Sequence, residues 1–183
     1  MNNAIILSGS GGQGLILAGA ILAEAAGVVE GKEVVQTQSY GIQARGGASQ
    51  SSVIISDREI KYPEVLVPDI LLCLSQEAYN RFEPGLRSGG VLIVDQDLVA
   101  LQDSRPRLKI YALPFTAEAE RLDRRILANV IALGALAAIT GAVQVEALAQ
   151  ALPARLPARN VPQALEALAL GKQMALERGM VFA

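Results

Sequence analysis

The chain has no histidine, no tryptophan and a single cysteine among its 183 residues. Without histidine there is no imidazole base, no Ser-His-Asp triad and none of the usual zinc ligand sets. One cysteine, Cys73, cannot hold an iron–sulfur cluster or close an internal disulfide. It sits inside the apolar run Ile70-Leu71-Leu72-Cys73-Leu74 and reads as a small buried hydrophobe. Aromatic residues make up only 4% of the chain against 51% apolar residues, so the core must be built from Ala, Val, Ile and Leu. The formal net charge is -2 and there is no basic run, which argues against a nucleic-acid partner. No positively charged segment leads into an apolar stretch, so no secretory signal is expected. The longest apolar window, 126–143, contains Asn129, Gly134, Thr140 and Gly141. It is barely long enough to cross a bilayer and reads as a buried core helix. The expectation is a cytoplasmic chain with no membrane segment and no redox centre of its own.

What the chain does have is a glycine-rich turn at its start: Gly9-Ser10-Gly11-Gly12-Gln13-Gly14. The apolar run 4–7 precedes it and an Ala-rich amphipathic stretch, 15–27, follows. That is strand, tight turn, helix. Such a turn aims backbone N–H groups and the positive end of a helix dipole at one spot, which suits a phosphate. Gly9, Gly11 and Gly14 satisfy G-x-G-x-x-G, but the dinucleotide fingerprint also wants an acidic residue after the second strand. Here the second apolar run ends in Gln36-Thr37-Gln38-Ser39, while Glu30 and Glu33 lie before it. The P-loop alternative lacks its lysine, because Leu15 follows Gly14. A purely structural turn, letting the first helix pack closely on the sheet, stays open.

The runs 4–7, 34–38, 52–55, 70–74, 91–94 and 109–113 read as strands, with helices at 15–27 and 77–82. Several strands are continuously apolar, as in a parallel sheet covered on both faces. Beyond residue 115 the pattern turns helical. Thr116 is a candidate N-cap, and an apolar helix over 126–140 ends at Gly141. A helix over 145–152 stops at Pro153, and a last helix runs from Asn160 to about 178. The fold class is α/β, an open doubly wound, mostly parallel sheet of Rossmann or flavodoxin type with a helical C-terminal third. A second loop, Ser39-Tyr40-Gly41-Ile42-Gln43-Ala44-Arg45-Gly46-Gly47, leaves the carboxyl edge of the sheet beside the glycine turn. Arg45 can clamp a phosphate or carboxylate, and Gly46 and Gly47 permit close approach. A solvated arginine in a plain loop is the other reading.

Together the two loops are more selective than either alone. Gly-x-Gly-Gly-Gln-Gly, then Ser39-Tyr40-Gly41 with Arg45-Gly46-Gly47, then Ser52-Val53-Ile54-Ile55-Ser56-Asp57 closely resemble the gamma subunit of 2-oxoacid:ferredoxin oxidoreductases. Pro68-Asp69, Gly89-Gly90, Asn129 with Leu133-Gly134-Ala135, and Asn160 with Gly171 extend the resemblance over nearly the whole chain. Gln43 departs from it, standing where many relatives carry an acidic residue. The resemblance implies a single gamma-type domain over 1–183, with an α/β core at 1–115 and a helical part at 116–183. It implies an enzyme complex that decarboxylates a 2-oxoacid oxidatively, joins the acyl group to coenzyme A and passes electrons to ferredoxin. Thiamine diphosphate and iron–sulfur clusters are then expected on alpha and beta partner subunits, and on a delta subunit where one exists. Coenzyme A is the phosphate-rich participant that this chain's loops would help bind, so Gly9, Ser10, Gly11, Gly12, Gln13, Gly14, Ser39, Tyr40, Gly41, Arg45, Gly46 and Gly47 are the candidate contacts. No catalytic residue or metal ligand is expected here. The 2-oxoacid is expected to be 2-oxoglutarate rather than pyruvate. A ligand-free structural subunit and a free-standing nucleotide- or flavin-binding oxidoreductase are the alternatives.

Overall fold

Period-two alternation divides the apolar strand residues between two sheet faces in the computed structural model, which describes residues 2–39, 48–102 and 107–177. Ile5 and Leu7 of β1 (Asn2–Gly9), Ile70 and Leu72 of β4 (Ile70–Cys73) and Ile93 of β5 (Val91–Asp95) face one cluster. Ile6, Leu71, Cys73, Leu92 and Val94 face the other. With β2 (Glu33–Ser39), β3 (Ser49–Ser56) and β6 (Lys109–Leu113), these strands form one six-stranded sheet. Its order is β2-β3-β1-β4-β5-β6.

β1, β4, β5 and β6 pair in parallel. β3 does not follow the parallel expectation: it runs antiparallel between β1 and β2. The reason is chain length. A parallel crossover takes roughly a dozen residues or more, and residues 40–48 are too few. β3 is nonetheless buried along its second half, so its continuous apolar run reports coverage and not direction.

The two sheet faces are covered unequally. α2 (Gln76–Phe82) supplies Ala78 and Tyr79 to the smaller cluster. The other face carries α1 (Leu15–Glu24), α3 (Phe115–Arg121), α4 (Ala128–Thr140), α5 (Val145–Arg155) and α6 (Val161–Glu177). α1 continues into a π-helical turn, Ala25–Val29. α4 is buried from Ala128 to Ala137, which is why its sequence is apolar all round. It lies against α6 nearly backbone to backbone. A Cβ on Gly171 would collide with the Ile131 carbonyl, and one on Gly134 with the Leu168 carbonyl. Among the described residues no helix is long and apolar enough to cross a membrane.

Two expected helix boundaries shift. Pro153 does not stop α5 but lies within its last turns, at the cost of one intrahelical hydrogen bond. Thr116 is not an N-cap either; it is inside α3, whose N-cap position is Pro114. The Thr116 N–H instead donates to Oδ2 of the buried Asp95 at 2.8 Å. A carboxylate from the neighbouring strand thus replaces the local cap.

Candidate functional site

The glycine turn is braced from three sides. The Ser10 N–H donates to Gln13 Oε1 at 2.7 Å. The other end of that amide, Nε2, donates to the Leu74 carbonyl at 2.8 Å. Gln13 is therefore a strut between the ends of β1 and β4, with both amide ends engaged. From the β3 side, Ser49 Oγ donates to the Gly9 carbonyl at 3.2 Å and Ser8 Oγ to the Ser49 carbonyl at 2.9 Å. From the helical layer, Asn129 Nδ2 donates to the Gly14 carbonyl at 3.0 Å. Asn129 is 2% exposed, and its Oδ1 has no partner among the described residues.

This bracing separates the glycines by role. A Cβ on Gly9 would strike Gln13 Oε1, and one on Gly14 would strike Asn129 Nδ2. Gly14 also has φ of 72° and occupies the N-cap position of α1. Gly9 and Gly14 make room for the struts. Gly11 and Gly12 meet nothing within 4 Å, and Gly12 has φ of 89°. Among the described residues their N–H groups have no hydrogen-bond partner.

Gly11 and Gly12 face a cleft of about 570 Å³. Its floor is the switch point of the sheet, where β1 and β4 diverge to opposite sides, the place where open α/β sheets bind ligands. Ser10 and Gln13 line it from the glycine turn, Leu74, Ser75 and Gln76 from the end of β4, and Thr116, Arg125, Ile126 and Ala128 from the helical layer. Ser75 caps α2, its Oγ accepting from the Ala78 N–H at 3.3 Å. The Gln76 amide holds Ala100 by both its N–H and its carbonyl. Arg125 is a cleft residue that the sequence reading does not nominate. Its only sequence signal is the Arg124-Arg125 pair ahead of the apolar helix.

The second expected wall is partly placed. Ser39 pairs with Gln50, and Gln50 with Ser8, so β2 ends on the edge that carries the glycine turn. Ser39 is exposed and does not line the cleft. Tyr40, Gly41, Gln43, Arg45, Gly46 and Gly47 lie outside the described residues. Cys73 is fully buried. Burial, and then the negative charge of Glu83, push its thiol pKa far above the ordinary range, consistent with an inert core residue. Among the described residues no group of three or more His, Cys, Asp or Glu side chains could hold a metal.

A glycine turn at the switch point of an α/β sheet, with Gly11 and Gly12 N–H groups that have no partner among the described residues, is the arrangement of a doubly wound α/β module. The chain belongs to the pyruvate ferredoxin/flavodoxin oxidoreductase family, whose model matches residues 4–174. It is 46% identical over 180 residues to a 2-oxoglutarate synthase subunit KorC from Methanocaldococcus jannaschii, covering 97% of this chain and 96% of that one. The crystal structure of the gamma subunit of a keto/oxoacid ferredoxin oxidoreductase from Geobacter sulfurreducens superposes with a TM-score of 0.88 at 43% identity, covering 99% of both chains. The same fold recurs within the 2-oxoglutarate:ferredoxin oxidoreductase from Magnetococcus marinus, with a TM-score of 0.87 at 21% identity, over all of this chain and 32% of that one.

Proposed function

We propose that this chain is the gamma subunit of a cytoplasmic 2-oxoacid:ferredoxin oxidoreductase, that 2-oxoglutarate is the substrate of the complex, and that the glycine turn binds a phosphate of coenzyme A. The KorC likeness over almost the full chain supports the first two statements. The observation that carries the third is that Gly11 and Gly12 line the cleft at the sheet's switch point with N–H groups that have no partner among the described residues. In this reading Gly9, Ser10, Gln13 and Gly14 shape the turn. Tyr40, Gly41, Arg45, Gly46 and Gly47 of the loop after β2 are further candidate contacts in this reading, with Arg45 an additional anion contact, whereas Ser39 lies outside the cleft lining.

Coenzyme A enters as a substrate, and this chain's part is to hold and orient it while covering the cleft. Thiamine diphosphate supplies the carbanion chemistry of decarboxylation, and iron–sulfur clusters carry electrons towards ferredoxin. One cysteine and no histidine cannot ligate such clusters, so in this reading the clusters sit on alpha and beta partners, and thiamine diphosphate is assigned to the same partners. The isolated chain completes no step alone. Coenzyme A and NADH titrated calorimetrically into the isolated chain and into the assembled complex test this. Coenzyme A should bind the complex, and removal of this chain should weaken that binding. Reduction of an acceptor from 2-oxoglutarate by the isolated chain, or tight NADH binding to it, would overturn the proposal.

A further inference from the structure

The glycine turn offers neutral N–H donors; the charge that should face a phosphate across the cleft comes from the helical layer. α3 ends in a Schellman-type cap: the Arg124 N–H donates to the Ala119 carbonyl and the Asp123 N–H to that of Glu120, both at 2.9 Å. Glycine usually occupies the left-handed position of this cap, but here it is Asp123, with φ of 54°. A left-handed non-glycine residue is strained and often sits where a site needs a particular chain direction. The cap reverses the chain, and Arg125 and Ile126 just beyond it line the same cleft as Gly11 and Gly12. The 3-10 turn Arg125–Leu127 then leads directly into α4. One helical turn further on, Asn129 ties α4 to the Gly14 carbonyl. The two walls of the cleft are thus locked together by one buried amide.

Arg125 itself is loosely held. Among the described residues its one ion pair, to Glu120, is long at 3.7 Å, and its side chain is 71% exposed. Arg121, by contrast, is engaged by Glu118 at 2.9 Å. A planar guanidinium with most of its donors unused suits bidentate phosphate recognition. We propose that Arg125 is the cationic phosphate contact of the cleft and sets its preference for a phosphorylated thiol substrate. This rests on the coenzyme A reading above.

The test uses the assembled complex. Arg125→Ala should raise KM for coenzyme A about tenfold with kcat nearly unchanged, as expected for lost uniform binding. The effect should shrink at high ionic strength. Arg125→Lys should recover only part of the loss. Arg124→Ala removes the same charge one residue away, outside the cleft lining, and should leave KM unchanged. Dephospho-coenzyme A identifies the phosphate. An Arg125→Ala penalty that disappears with it assigns the 3′-phosphate; an equal penalty with both substrates assigns the diphosphate. No change in KM for coenzyme A, a change confined to KM for 2-oxoglutarate, or an equal effect of Arg124→Ala overturns the proposal. Gly11→Val, measured alongside, separates the two readings. If it raises KM while Arg125→Ala does not, only the role of Arg125 fails; if neither does, the coenzyme A reading fails with it.

Discussion

Gly11→Val is the perturbation that best separates ligand binding from folding. A Cβ at Gly11 meets nothing within 4 Å, and its φ lies outside the left-handed region. The Cβ of a valine there meets no described part of the protein, and the Gly11 N–H has no described hydrogen bond to lose. Its effect on stability should therefore stay within about 0.5 kcal/mol, as for ordinary surface substitutions. Its methyl groups would stand in the cleft beside the Gly11 and Gly12 N–H groups, where a phosphate would lie. A lost hydrogen bond to a charged group is worth about 1.5–3 kcal/mol, which is roughly 10- to 150-fold in affinity. KM for coenzyme A in the assembled complex should rise by that factor while the melting temperature of the chain barely moves. Gly14→Val is the contrasting variant. Its φ of 72° and its contact with Asn129 make it a folding mutation, so its melting temperature should fall. The reasoning fails if Gly11→Val keeps the wild-type KM.

Gln13→Glu keeps an acceptor for the Ser10 N–H but sets a carboxylate oxygen against the Leu74 carbonyl. A stability loss of about 1–3 kcal/mol is expected by urea denaturation, and an unchanged midpoint would remove the strut role. Gly171→Ala forces a methyl into the Ile131 backbone and should cost about 1–3 kcal/mol. That lowers the melting temperature by roughly 2–12 °C for a chain of this size; an unshifted melt would show that α4 and α6 are not in backbone contact. Cys73 should resist thiol reagents in the native protein at pH 8. Its pKa is raised, so the reactive thiolate is absent there, and it should label fully once unfolded. Rapid labelling of the native chain would contradict its burial. Asn129→Asp would place a carboxylate against the Gly14 carbonyl at a site 2% exposed. It should cost more than about 3 kcal/mol at pH 7 and less as pH falls and the carboxyl is protonated, which pH-dependent denaturation reads directly.

The local pattern alone determined a good deal. Apolar runs and punctuating glycines located the strands to within a few residues, because burial on a sheet dictates side-chain character residue by residue. The glycine turn was legible because positive φ and an N-terminal helix junction are demands on consecutive residues. The absence of histidine and of a cysteine set bounded the chemistry without any fold. Tertiary structure decided the rest, since it depends on pairings between distant residues. The reversed direction of β3 follows from which strands it joins, and its apolar run looks the same in either direction. Gln13 reaches a carbonyl 61 residues away, and Asn129 one 115 residues away. Nothing in their local sequence distinguishes a strut from a ligand. Arg125 is an ordinary surface arginine until the cap at Asp123 turns it into the cleft. The residue types that an anion site would need are written in the chain, but which of them face the cleft is set by packing, because only packing consumes some polar groups and leaves others free.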